Sequence, residues 1–331
     1  MTLNRRKFLA VTAAAVPHLP KTLSADLGKV KLSKTVADVF VPLQAGSVTI
    51  GGWLGSRMDA CMNRRVMAQN IGRLVAPFME RNNGTWGSEY WGKWFTSTAF
   101  GYLYEPSAEH KGKIDEAVRA LLVTQSPDGQ ITGFDPSQQF GQNWDIWGRK
   151  YVLVGLMAHY DATGDAQSLK AAQRAADAIV ERAEKGMIIG ERCLPEFRGV
   201  QSTSILAKFA MLYARTGEER YRKTAELIVK QWDMPNQIAR KPLRLMTDAL
   251  LNKPPAEIWS RKCYESLANY EGLLKLCRAT RDRRYFEAVS VYCKNVLDQK
   301  RMIHGSASNN EEWFYGAKNQ TGVLEQPSRL A

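Results

Sequence analysis

From about residue 58 onward, apolar side chains recur every three or four positions, as in Ile205, Phe209 and Leu212 and again in Leu267, Tyr270, Leu274 and Cys277. Each set falls on one side of a helix, and short glycine-bearing breaks separate the runs, so the pattern predicts a succession of tightly joined helices. Only Val39 to Ile50 alternates with period two, which predicts short strands before a turn at Gly51-Gly52-Trp53. The helical part repeats. His159 to Asp165, Leu212 to Glu218 and Leu276 to Asp282 each end an apolar helix in an Ala/Arg-Thr-Gly stop followed by an acid, with Arg281 replacing the glycine in the third. The glycine suits a left-handed cap, and the acid suits the positive end of the next helix. Thr163, Thr216 and Thr280 lie 53 and 64 residues apart, the length of one helical hairpin plus a variable connection.

Hairpins of this length stack into an open solenoid or close into an α/α toroid. Unusual residues favour the toroid, because aromatic and polar clusters open alternate helices. These are Trp86-Gly87-Ser88-Glu89-Tyr90-Trp91-Gly92-Lys93-Trp94, Trp144-Asp145-Ile146-Trp147, Gly199-Val200-Gln201-Ser202 and Cys263-Tyr264-Glu265. In a closed ring such ends converge on one mouth, with the loops at 125–143, 185–198 and 233–259 around it.

The 331 residues, 44% hydrophobic and 24% charged, have the composition of a globular protein and exclude a disordered chain or a polytopic membrane protein. Asn4-Arg5-Arg6-Lys7-Phe8-Leu9, followed by a mild apolar run and Pro17, resembles a twin-arginine export signal. The run from Phe8 to Val16 is nine residues, half of what an anchor needs, so residues 1–25 are expected to be cleaved and to deliver the chain to the periplasm or exterior without membrane insertion. Loss of the four basic residues there leaves about +9 of the formal +13 charge. That excess is scattered among helices, no nucleic-acid module signature is present, and nucleic-acid binding is not expected. Residues 26–57 form a lead-in segment and 58–331 the helical domain. The five cysteines show no Cys-x-x-Cys pair, which points to no zinc knuckle and no complete disulfide framework; Cys263 and Cys277 share one helical face as core residues.

Taken in order, Gly51-Gly52-Trp53, Gly92-Lys93-Trp94, Gln125-Ser126-Pro127-Asp128-Gly129, Gly148-Arg149-Lys150-Tyr151, Glu271-Gly272-Leu273-Leu274 and Asn309-Asn310-Glu311-Glu312-Trp313-Phe314 resemble glycoside hydrolase family 127 across almost the whole mature chain. The resemblance implies an (α/α)6 toroid and β-L-arabinofuranosidase-like chemistry. In that mechanism a zinc-bound cysteine thiolate attacks the anomeric carbon while a glutamate protonates the leaving oxygen and later activates water. Glu312 matches the family's acid/base position, and Glu311 is the alternative, one residue away. The family's zinc ligands, a Glu-x-Cys motif and two adjacent cysteines, would follow Glu312, and no cysteine does so before Ala331. Zinc is therefore expected only in a longer family member. The toroid is expected to be incomplete at its C-terminus, and the chain to be either an exported hydrolase truncated of its nucleophile or a vestigial carbohydrate-binding toroid.

Trp144, Asp145 and Trp147 are candidate sugar-binding residues, since indole faces take the C–H side of a ring and a carboxylate accepts two hydroxyl hydrogen bonds. The competing reading makes Asp145 a helix cap and the tryptophans core. Glu89, Gln201, Tyr264, Asn310 and Trp313 are placed at the same mouth, with Trp313 desolvating the acid. Trp94 and His159 are read as packing residues. Lys150, with Arg149 and Lys262, suggests an acidic sugar of a plant cell-wall oligosaccharide. The resemblance also implies pocket histidines at the starts of inner helices, and this sequence has Trp144-Asp145, Val200-Gln201 and Cys263-Tyr264 in those places.

Overall fold

The computed structural model describes residues 42–82, 84–140, 143–190, 199–235, 241–258, 260–302, 305, 307–308 and 311–313. The export signal and Asn310 lie outside them, as do residues 314–331, on which the expected C-terminal incompleteness bears. Among the described residues the fold is all-α, with no strand beyond one isolated bridge, between Lys262 and Glu312. No helix among the described residues is long and apolar enough to cross a membrane.

Chain order runs α1 (Gly52–Cys61), α2 (Ile71–Glu80), α3 (Glu89–Tyr104), α4 (Ala108–Leu122), α5 (Asn143–Thr163), α6 (Ala166–Glu184), α7 (Val200–Thr203), α8 (Leu206–Thr216), α9 (Glu219–Gln231), α10 (Leu245–Leu250), α11 (Cys263–Thr280) and α12 (Arg283–Gln299). α3, α5, α7–α8 and α11 pack side by side in that order as an inner row, and α4, α6, α9 and α12 each return along the outside. This is the helical-hairpin architecture of the toroid.

The expected strands do not form in residues 42–50, and a helix begins at Gly52. With no partner strand among the described residues, the Gly46 amide bonds the Leu103 carbonyl at 2.8 Å and the Ile50 amide bonds the Tyr104 hydroxyl at 2.9 Å, so the segment lies along the end of α3.

The three repeated junctions share one geometry. Thr163, Thr216 and Thr280 each donate to the carbonyl four residues back, at 2.7, 2.8 and 2.9 Å, and accept from the amide two residues on, at 3.2 Å in every case. The intervening residue is left-handed each time: Gly164 at φ +76°, Gly217 at +72° and Arg281 at +66°. Asp165 and Asp282 cap the following helix through their side chains, whereas Glu218 does not.

The core lies between the two rows. Ile205, Phe209 and Leu212 are fully buried. In α11 the buried line is Tyr270, Leu273, Leu276 and Cys277, while Leu267 is 42% exposed and Leu274 is half-buried. An inner helix buries two sides, so a single-stripe reading of α11 was out of phase there. α3 and α5 approach so closely that a Cβ on Gly92 would stand 2.2 Å from the Tyr151 carbonyl oxygen.

Candidate active site

The starts of the inner helices meet at one end of the row, as the clustering of their unusual residues predicts. Glu89 opens α3, and Lys93 follows one turn later on the same face, its ammonium 3.0 Å from Glu89 Oε1. Trp144 and Trp147 sit in the first turn of α5, edge to face with centroids 5.8 Å apart. The Trp147 indole N–H donates to Glu89 Oε2, which ties α5 to α3. Tyr264 and Glu265 begin α11; the Tyr264 ring packs against Trp147 at 5.8 Å and its hydroxyl bonds that of Tyr151 at 2.6 Å. These groups enclose a pocket of about 320 Å³ lined by Trp86, Glu89, Lys93, Trp144, Trp147, Tyr264, Glu265 and Glu311.

Glu311 reaches the pocket from a distant part of the chain. The Cys263 amide donates to the Glu311 carbonyl at 2.9 Å, and the Trp313 amide donates to the Arg261 carbonyl at 2.8 Å. Residues 311–313 are thereby laid antiparallel against the segment that opens α11. Glu311 adopts a left-handed backbone, φ +64°. Its carboxylate stands 3.9 Å from Lys262 Nζ. Glu312 does not line the pocket; its carboxylate pairs with Arg261 Nη2 at 3.1 Å.

Several candidate residues occupy other places. Asp145 is 1% exposed, and its oxygens accept from Thr132 Oγ1, the Phe140 amide and Arg149 Nε, so it fixes the 132–140 loop to α5 and has no side toward the pocket. Trp313 is 1% exposed and donates its indole N–H to the Tyr292 hydroxyl at 2.7 Å, in the core between α11 and α12. Gln201 is enclosed at the start of α7, off the pocket lining, with no partner for either amide atom among the described residues. Lys150 lies beneath the pocket, donating to Ser204 Oγ at 3.0 Å with its ammonium 3.6 Å from the Trp147 ring centroid. Burial, then the charges of Lys208 and Lys93, push its pKa well below the usual lysine range.

The packing readings hold: Trp94 donates to the Val66 carbonyl at 2.9 Å, and buried His159 bonds Ser168 Oγ at 2.7 Å and Asp115 Oδ1 at 3.0 Å. Trp86, Lys93 and Glu265 belong to the site although sequence reasoning did not select them. Their signal was membership of the same helix-start clusters, and Glu89 and Lys93 also share the i, i+4 spacing.

The lining carries three carboxyls, Glu89, Glu265 and Glu311, against one lysine. Arg149 is 2% exposed and bound to Asp145 and Gln130. None of Arg149, Lys150 and Lys262, from which an acidic sugar was expected, lines the pocket. Among the described residues no group of three His, Cys, Asp or Glu side chains could hold a metal ion. Cys263 and Cys277, on one face of α11, are buried, and burial raises both thiols above the usual cysteine range.

The family model described as β-L-arabinofuranosidase, GH127 catalytic domain, matches residues 41–326. The chain belongs to glycoside hydrolase family 127. Solved structures agree at the level of fold. A protein described as a glycoside hydrolase superposes with a TM-score of 0.55 at 16% identity over 79% of this chain. A GH127 β-arabinofuranosidase gives 0.56 at 15% over 81%, and the GH127 β-L-arabinofuranosidase of Geobacillus stearothermophilus T6 gives 0.56 at 17% over 78%. The family 127 chain spans 38%, 45% and 45% of those three proteins, respectively. No curated protein matches it in sequence.

Proposed function

We propose that this family 127 chain is an exported glycoside hydrolase that removes a neutral sugar from the non-reducing end of a plant cell-wall glycan. The observation that carries the reading is the pocket itself, where indole and phenol faces surround three carboxyls at the convergence of the inner helices. Aromatic faces hold the C–H side of a sugar, and carboxyls hold or protonate its oxygens. Glu311 is the acid/base group in this proposal, because it lines the pocket while Glu312 is tied to Arg261. In the family's two-step mechanism that group would protonate the leaving glycosidic oxygen while a cysteine thiolate takes the anomeric carbon, and would then accept a proton from the water that displaces the thiolate. No cysteine follows Glu311 in this sequence, so the role proposed for this chain's own residue is the proton transfer alone. The Arg5-Arg6 leader supports delivery to the periplasm or exterior.

Turnover of a panel of neutral aryl glycosides, the β-L-arabinofuranoside among them, tests this. Glu311→Gln is expected to lose about 100-fold or more in kcat, and Glu312→Gln less than about tenfold. The reverse order returns the role to Glu312. Sugar binding without hydrolysis by the wild-type chain replaces the enzyme with a carbohydrate-binding toroid.

A further inference from the structure

We propose that Glu265 is a second sugar-contacting carboxyl of this pocket and that it binds as a hydrogen-bond donor, giving its acid O–H to an oxygen of a neutral sugar. The inference rests on the carbohydrate reading above and adds a residue and a polarity to it.

The three lining carboxyls are not equivalent. Glu89 receives the Trp147 N–H on one oxygen and the Lys93 ammonium on the other, so its negative charge is met from both sides. Glu311 is open, its side chain 46% exposed. Glu265 is 6% exposed overall, borders the cavity, and has an oxygen, Oε2, that no donor among the described residues reaches. An ionised carboxylate that is buried and lacks a donor is costly, whereas the neutral acid in the same place carries its own O–H and needs an acceptor. Oε2 itself is closed to solvent, so in this proposal it is left as the uncharged carbonyl oxygen and the O–H sits on the other oxygen, where Glu265 borders the cavity and a ligand can accept from it.

The surrounding charges are consistent with that form. Lys150 on α5 has its amine engaged with Ser204 and with the aromatic faces of Trp147 and Tyr151. Lys93 on α3 is paired with Glu89. Lys262, just before α11, stands 3.9 Å from both Glu311 and Glu312. Burial raises the Glu265 pKa first of all; its own backbone amide, Lys262 and Lys150 oppose the rise, and the Glu311 charge adds to it. A neutral Glu265 also lowers the repulsion within a pocket lined by three carboxyls.

Two measurements on the full chain test the proposal. Carbon-detected NMR of glutamate carboxyls, with Glu265→Gln to assign the signal, is expected to find one group titrating above the ordinary glutamate range; an ordinary titration overturns the proposal without reference to any sugar. Binding of L-arabinose and D-galactose, followed by tryptophan fluorescence, is expected to weaken as pH rises through that titration. Glu265→Gln, which keeps an N–H donor but cannot titrate, is expected to bind with a pH-independent affinity, and Glu265→Leu to lose about tenfold or more. Folded Glu265→Leu that binds like the wild type overturns the contact alone. Failure of the wild type to bind either sugar while Glu265 titrates high overturns the carbohydrate reading and this contact with it.

Discussion

Replacing Arg281 with glycine is expected to stabilise the protein. The third junction reproduces the backbone of the first two, φ +66° and ψ +10° at Arg281, without the residue that suits it. Left-handed backbone costs an L side chain about 1–2 kcal/mol, and the freedom that glycine adds to the unfolded chain returns about 0.4–1 kcal/mol of that. The net gain is about 0.5–1 kcal/mol, which for a chain of this size raises Tm by about 1–2 °C. The Arg281 amide keeps its 2.7 Å bond to the Cys277 carbonyl in the variant, so the change acts on backbone preference. The converse substitutions, Gly164→Ala and Gly217→Ala, introduce a Cβ that meets nothing within 4 Å. Any loss there is conformational, and about 1 kcal/mol is expected at each. Differential scanning calorimetry at matched pH reads all three. A lower Tm for Arg281→Gly, or no loss at either glycine, refutes the account of the repeated junction.

Two further outcomes follow from buried charge. Asp145→Asn is expected to destabilise by about 3 kcal/mol, because it leaves Arg149 buried without its counter-ion, and to leave sugar affinity near wild type in the folded fraction; denaturant unfolding and fluorescence titration check the two halves. Lys150 is held well below the usual lysine pKa, so between its folded value and about 10.4 the unfolded chain binds more protons and stability rises with pH. Lys150→Met is expected to flatten that alkaline rise in Tm, and an unaltered slope contradicts the assignment.

The architecture was legible because its signals are local. The Thr-Gly-acid junctions, the helix-period apolar runs and the aromatic clusters at alternate helix starts each depend on residues close in sequence. The period-two alternation misled over residues 42–50 because a strand requires a partner, and none lies among the described residues; α3 takes the segment's amides instead. At the site, Trp144, Trp147, Tyr264 and Glu89 were readable from position in a helix start. Asp145 and Trp313 were not, because a side chain's direction depends on what packs behind it: Arg149 and Thr132 turn Asp145 inward, and Tyr292 draws Trp313 into the core. Which of Glu311 and Glu312 lines the pocket depends on backbone pairing with Arg261 and Cys263, some fifty residues earlier, which no local pattern records.

That pairing separates the position of the acid from its identity. The two amide–carbonyl links bracketing residues 311 and 312 involve no side chain, so the rail they form is not built by the carboxyls mounted on it, and at 311 it favours residues that tolerate the left-handed backbone. A mutation there re-equips the mouth without dismantling its frame.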